Sequence, residues 1–261
     1  PSVLTGANLA NRDLLYLGVS GDGDSASIGL GQFAHAMRRG VRMAYIVENN
    51  GVYGLTKGQF SATADQGSRS KKGVVNSDSP VDLVAMALQL GASYVGRGFS
   101  GNKAQLVPLI KGAISHGGSA FIDVISPCVA FNNHPGSTKS YDYVREHNEA
   151  VSRIDFISGR EEITVDMGAG EVVDVRQHDG TLLRLRSLHS DYNPGDRYAA
   201  MAYMQRHQEM GEVVTGLLYV DPLATDLHTA LNTSDRPLNA LGPAHLCPGA
   251  EALERLNDSL R

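Results

Sequence analysis

A chain of 261 residues, 42% hydrophobic and 20% charged, can bury a substantial core, and its net charge of -5 provides no basic field to hold nucleic acid. No apolar run reaches the roughly 20 residues of a membrane-spanning helix, and residues 1–10 lack the basic-then-apolar order of a signal peptide. The expectation is a cytoplasmic protein with neither a nucleic-acid nor a membrane partner.

Residues 14–20, LLYLGVS, form a short apolar run that suits a buried strand delivering the tight turn Gly21-Asp22-Gly23-Asp24. Ile28, Phe33 and Met37 then fall near helical spacing, and Arg38 and Arg39 before Gly40 suit the negative end of a helix dipole. A helix starting near Ser25 would direct its positive end at whatever the turn holds. A second strand is expected at 42–47. It ends at Glu48-Asn49-Asn50-Gly51 and leads into a long loop to about Ser79, a length that is usually functional or mobile.

Further along, the pattern predicts a helix at 81–90, a strand at 94–96, a helix at 103–115 and a buried strand at 119–125. Such alternation implies an α/β fold with a mostly parallel sheet and helices on both faces. After Pro127 the composition changes. An exposed hairpin is expected from strands at 171–176 and 181–188 around Asp179-Gly180, then a helix at 198–210, a strand at 216–220 and a terminal helix at 250–260. The division expected is a cofactor-binding α/β domain at 1–153 and a C-terminal extension at 154–261 that completes or flanks it.

The informative spacing is Gly21-Asp22-Gly23 at one strand end and Asn49-Asn50 at the next, with 25 residues (24–48) between them. Either piece alone is an ordinary turn. Together, at the carboxyl ends of neighbouring strands, they face one crevice, where ligands of open α/β sheets collect. Mg²⁺ takes octahedral oxygen ligands, usually one or two carboxylates with phosphate oxygens and water. Asp22 supplies a carboxylate, Asn50 an amide oxygen and Val52 a main-chain carbonyl, while Gly21 and Gly23 allow close approach to phosphates. A dinucleotide fingerprint fits less well, since the third glycine position is Ala26.

The strings GDGDSASIGLGQFAHAMRRG and ENNGVYGLTKGQFSAT resemble the β subunit of the 2-oxoacid:ferredoxin oxidoreductases, a thiamine-diphosphate-binding family, over roughly residues 1–150. The resemblance implies a thiamine diphosphate site at Gly21, Asp22, Gly23, Asp24, Asn50, Val52, Gly54 and Leu55, with Mg²⁺ held by Asp22, Asn50 and Val52. It implies oxidative decarboxylation of a 2-oxoacid to acyl-CoA, possible in either direction, with electrons passing to ferredoxin. It also implies an α-subunit partner that carries the glutamate activating the cofactor, so that this chain alone is inert. The alternatives are the pyruvate-type enzyme, another thiamine-dependent lyase or synthase, or a non-catalytic subunit.

Cys128, in Ser126-Pro127-Cys128, matches the family segment that supplies one ligand to a 4Fe-4S cluster. The family's other ligands precede the thiamine motif, and here no cysteine does, so either an upstream segment is missing or the cluster is lost. Cys247 reads as structural. Lys57, in the loop after the metal motif, offers a point cation for the remote carboxylate of a dicarboxylic 2-oxoacid, whereas pyruvate-acting relatives tend to carry glycine there. That implies 2-oxoglutarate as substrate. His134, His147, His178, His189, His207 and His228 show no metal-site spacing and read as surface or locally hydrogen-bonding residues, with His134 nearest the expected site.

Overall fold

The computed structural model describes residues 1–157, 172–176, 182–187, 192–247 and 249–261. In chain order its elements are α1 (Ser2–Ala10), β1 (Leu17–Gly21), a π-helical turn (Gly23–Ile28), α2 (Leu30–Arg38), β2 (Met43–Asn49), β3 (Val52–Tyr53) and β4 (Gln59–Phe60). Next come α3 (Leu83–Gln89), β5 (Tyr94–Phe99), α4 (Lys103–Ser115), β6 (Ser119–Ile125), α5 (Tyr141–His147), β7 (Asn148–Ala150) and β8 (Ser152–Ile157). The chain continues through β9 (Val172–Arg176), β10 (Leu182–Ser187), α6 (Arg197–Glu209), β11 (Val213–Val220), α7 (Leu227–Leu231), α8 (Pro243–Leu246) and α9 (Ala250–Ser259).

Among the described residues, a six-stranded sheet runs in the order β1-β2-β6-β5-β11-β7. Strands β1, β2, β6 and β5 are mutually parallel, and β11 enters antiparallel to β5. The fold is therefore α/β with a mostly parallel sheet. Its central strands are buried on both faces, and their side chains alternate between two cores with the period of two that a pleated strand imposes. Met43, Tyr45 and Val47 of β2 pack with Phe33 and Met37 of α2, Leu83 and Val84 of α3, and Tyr203 of α6. Ala44 and Ile46 face the other way, onto Leu109 and Ala113 of α4. Helices thus cover both faces, and no helix among the described residues is long and apolar enough to cross a membrane.

Phe33 anchors the first core. It is wholly buried, and its ring meets Phe121 edge-on at 5.0 Å between centroids and Tyr45 at 6.1 Å. Each such aromatic pair contributes about 0.5–1.5 kcal/mol beyond the area it buries.

Several expectations need correction. The strand expected at 14–20 begins at Leu17 and lies at the sheet edge, with Leu17 and Val19 exposed, because among the described residues it pairs only with β2. An apolar run of this length does not distinguish edge from centre. No α-helix begins near Ser25; a π-helical turn occupies Gly23–Ile28, and α2 starts at Leu30. The Gly29 N–H reaches back five residues to the Asp24 carbonyl at 2.7 Å, and a Cβ on Gly29 would lie 2.6 Å from that same oxygen. Of the histidines expected at the surface or in local hydrogen bonds, His228 takes the second role: it is buried, with Nδ1 2.6 Å from the Thr233 hydroxyl.

The expected hairpin corresponds to β9 and β10, which pair antiparallel, but β8 joins β10 on its other side to make three strands. Asp179-Gly180, His178 and His189 lie outside the described residues. The strand expected at 216–220 is longer, Val213–Val220, and α1, α5 and β7 were not anticipated.

Candidate cofactor site at the carboxyl edge of the sheet

Parallel pairing decides which loops meet. Gly21 of β1 lies beside Glu48 of β2, and Asn49 of β2 beside Ile125 of β6, so the segments after β1, β2 and β6 leave the same sheet edge. That edge holds Asp22, Asn50 and Cys128, with the β2 loop in the middle. Gly51, at φ +75, leads into β3, which pairs antiparallel with β4.

Asp22 is 1% exposed. Its Oδ2 accepts from the Gly51 N–H at 3.0 Å, from the Thr63 hydroxyl at 2.5 Å and from the Ser61 hydroxyl. Among the described residues, Oδ1 receives only a long contact from the Asn50 N–H at 3.5 Å, at the limit of a hydrogen bond. A buried carboxylate therefore has one saturated oxygen and one that is nearly free, which suits a divalent cation. Asn50 lies alongside: its Oδ1 accepts from the Val52 N–H at 3.0 Å, and its carbonyl accepts from Asn132 at 2.8 Å. An amide oxygen has two lone pairs, so Asn50 Oδ1 keeps one for a ligand. The carboxylate oxygen of Asp22 and the amide oxygen of Asn50 are of the kind that Mg²⁺ takes.

The remaining expected residues are distributed unevenly. Gly21 ends β1, and Asp24 is exposed in the π-turn. Gly23 is buried beneath Tyr53, whose ring stands 2.4 Å from where a Cβ would be and whose hydroxyl donates to the Gly23 carbonyl at 3.0 Å. Single π-turns inside helices occur often at functional sites. Gly54 adjoins Cys128, with Sγ 3.8 Å from a Cβ placed on the glycine. Leu55 is 98% exposed, and Lys57, also exposed, takes φ +76, a region that normally favours glycine. His134 accepts from the Gly136 N–H, and exposed Cys247 sits between α8 and α9.

Two cysteines do not make a four-thiolate cluster, and among the described residues no three His, Cys, Asp or Glu side chains gather as a metal site. The described residues therefore do not fit an iron-sulfur cluster by themselves.

Behind Asn49 lies a cavity of about 160 Å³. Arg97 reaches across its wall to Asp123, 2.9 Å from Nε, and to Asp82, 2.8 Å from a terminal nitrogen. Burial would raise the Asp82 carboxyl, but the Arg97 charge and the N–H groups of Val84 and Ala85, which it caps, hold it below the usual range. Asp123 is pushed up, chiefly by burial and despite Arg97. Burial opposes the Arg97 charge as well, yet its two carboxylate neighbours raise its proton affinity. Neither this trio nor Ser61 and Thr63 was anticipated. A lone arginine between glycines in YVGRGF was the available signal.

Residues 1–124 match the family described as thiamine pyrophosphate enzyme, C-terminal TPP binding domain. This part of the chain belongs to that family. The crevice at the carboxyl edge thus lies in a TPP-binding domain. The chain is 44% identical over 130 residues to a 2-oxoacid:ferredoxin oxidoreductase β subunit from a Sulfolobus species, a match covering 49% of this chain and 43% of the relative. It is 33% identical over 178 residues to the 2-oxoglutarate synthase subunit KorB of Methanocaldococcus jannaschii, covering 66% of each. The chain thus spans less than half the length of the first of these relatives. Its fold is also similar to that of a solved 2-oxoglutarate:ferredoxin oxidoreductase from Magnetococcus marinus, determined with 2-oxoglutarate, coenzyme A and succinyl-CoA bound. That likeness has TM-score 0.67 and 29% identity, and covers 88% of this chain and 65% of the other.

Proposed function

We propose that this chain is the thiamine-diphosphate-binding β subunit of a 2-oxoacid:ferredoxin oxidoreductase that acts on 2-oxoglutarate with coenzyme A. The observation that carries the reading is the asymmetric Asp22 carboxylate, one oxygen saturated and the other open beside Asn50, within a TPP-binding domain. Asp22, Asn50 and the Val52 carbonyl would hold Mg²⁺ against the diphosphate. Gly21, Gly23 and Asp24 would line its approach from the first turn, and Gly54 and Leu55 from the second. When bound, thiamine diphosphate supplies the electron sink that decarboxylation needs.

This chain's own residues bind and orient. The hydroxyl- and amide-lined crevice fixes the metal ligands, Tyr53 closes over Gly23, and the β3–β4 hairpin carries Lys57 toward solvent. We assign Lys57 to the remote carboxylate of the substrate. Its left-handed backbone supports the assignment, since a non-glycine residue there costs about 1–2 kcal/mol, and such strain is tolerated where a side chain is needed. The glutamate that activates the cofactor belongs, on this reading, to an α-subunit partner. Residues 1–153 form the cofactor-binding domain and 154–261 an extension that completes it through β11. Cys128, the cysteine beside Gly54, would serve a 4Fe-4S cluster only with thiolates from outside this chain, and no electron path is drawn through it.

The test is 2-oxoglutarate-dependent, coenzyme-A-dependent reduction of ferredoxin by the chain co-expressed with its α subunit, in the presence of thiamine diphosphate and Mg²⁺. Turnover should require both chains and both cofactors. Turnover by this chain alone would contradict the assignment.

A further inference from the structure

Resting on the metal reading above, we infer that Ser61 and Thr63 are positioning residues that select which oxygen of Asp22 meets the metal. Both are buried, at 4% and 1% exposure. Both hydroxyls converge on Asp22 Oδ2, which also takes the Gly51 N–H, and neither hydroxyl reaches Oδ1. A carboxylate so held presents Oδ1 alone to the crevice and acts as a one-oxygen ligand rather than rotating to chelate with both. That geometry suits Mg²⁺, which demands near-ideal octahedral angles, better than larger ions that accept bidentate carboxylates.

The segment bearing these hydroxyls is itself fixed. The Ser61 N–H donates to the Gly51 carbonyl at 3.2 Å, the Ala62 N–H to Ser27 Oγ in the π-turn at 3.0 Å, and the Ala64 N–H to the Ser61 carbonyl at 3.1 Å. The two hydroxyls lie 3.0 Å apart, and Thr63 Oγ1 is 2.9 Å from Asn49 Oδ1, so its single proton is shared between Asp22 and Asn49. Asn49 in turn borders Asp123 and favours its charged form. The metal-facing carboxylate is therefore oriented from behind by a chain of polar groups that ends at Arg97.

The experiment is Mn²⁺ binding to the full chain with thiamine diphosphate, followed by electron paramagnetic resonance, alongside melting temperatures with and without metal. Thr63→Val should weaken Mn²⁺ affinity about 10- to 100-fold, the usual effect of losing a group that orients a metal ligand. Thr63→Ser should restore it, and Ser61→Ala should weaken it in the same direction. A merely structural threonine would instead lower the melting temperature equally with and without metal and leave affinity intact. Wild-type chain that binds no Mn²⁺ with the cofactor would overturn the metal reading itself. Wild-type binding with unchanged affinity in Thr63→Val would overturn only the role given to the hydroxyls. Should Thr63→Val not fold, Ser61→Ala decides by the same criterion.

Discussion

The Gly51 N–H donates to Asp22 Oδ2 at 3.0 Å, so the turn after the second strand is tied directly to the carboxylate after the first. Gly51 sits at φ +75, and a Cβ there would lie 2.8 Å from the Asn132 amide and 3.2 Å from Lys139. Gly51→Ala therefore combines a strained backbone with a crowded neighbour. It should cost about 1–2 kcal/mol of stability or more, seen in urea denaturation, and also weaken thiamine diphosphate binding in calorimetry. Unchanged binding would separate the turn from the cofactor site.

Gly23 is constrained by sterics rather than by φ. Its missing Cβ leaves room for Tyr53, whose ring would otherwise overlap it at 2.4 Å. Gly23→Ala must displace the ring or the π-turn, an overpacking change that typically costs about 1–3 kcal/mol. Cofactor affinity should fall with it, while Tyr53→Ala in the same background should recover part of the loss. No recovery in the double variant would show that the ring is not the obstacle.

Lys57→Ala should raise the KM for 2-oxoglutarate roughly tenfold, the equivalent of about 1.4 kcal/mol for one charge-assisted contact near solvent. An uncharged 2-oxoacid should be unaffected. Steady-state kinetics on both substrates decides the matter, because an equal change in each would remove the charge argument.

Asp82→Asn keeps an oxygen to cap α3 but removes a charge facing Arg97. Arg97 retains Asp123, and the Asp82 side chain is 23% exposed, so about 1–3 kcal/mol is expected at pH 7, less than for a fully buried pair. The Asp82 carboxyl titrates below its unfolded value, so its contribution is full above the ordinary aspartate value of about 3.9. It is lost as pH falls through the lowered one. The stability gap between variant and parent should thus shrink below about pH 4, and a gap independent of pH would contradict the ion pair.

Much of this site was legible because its parts are local. A strand end followed by Gly21-Asp22-Gly23, and another followed by Asn49-Asn50, carry their turn chemistry in adjacent residues, and parallel pairing then aligns them. The edge position of β1 was not legible, since strand order depends on partners far away in sequence. Ser61 and Thr63 were hidden for the same reason: their importance comes from contacts with Asp22 some 39 and 41 residues earlier. The π-turn was missed because its five-residue hydrogen bond leaves no distinct apolar spacing. β11 could be located as a strand, but its antiparallel place beside β5 follows from tertiary packing.

The most direct test is a crystal structure of the full chain grown with thiamine diphosphate and Mn²⁺, with the ion located by its anomalous signal. One ion should be found bonded to Asp22 Oδ1, Asn50 Oδ1 and the Val52 carbonyl, in an octahedral shell completed by both phosphates. A diphosphate bound elsewhere, or an ion that leaves Asp22 untouched, would contradict it.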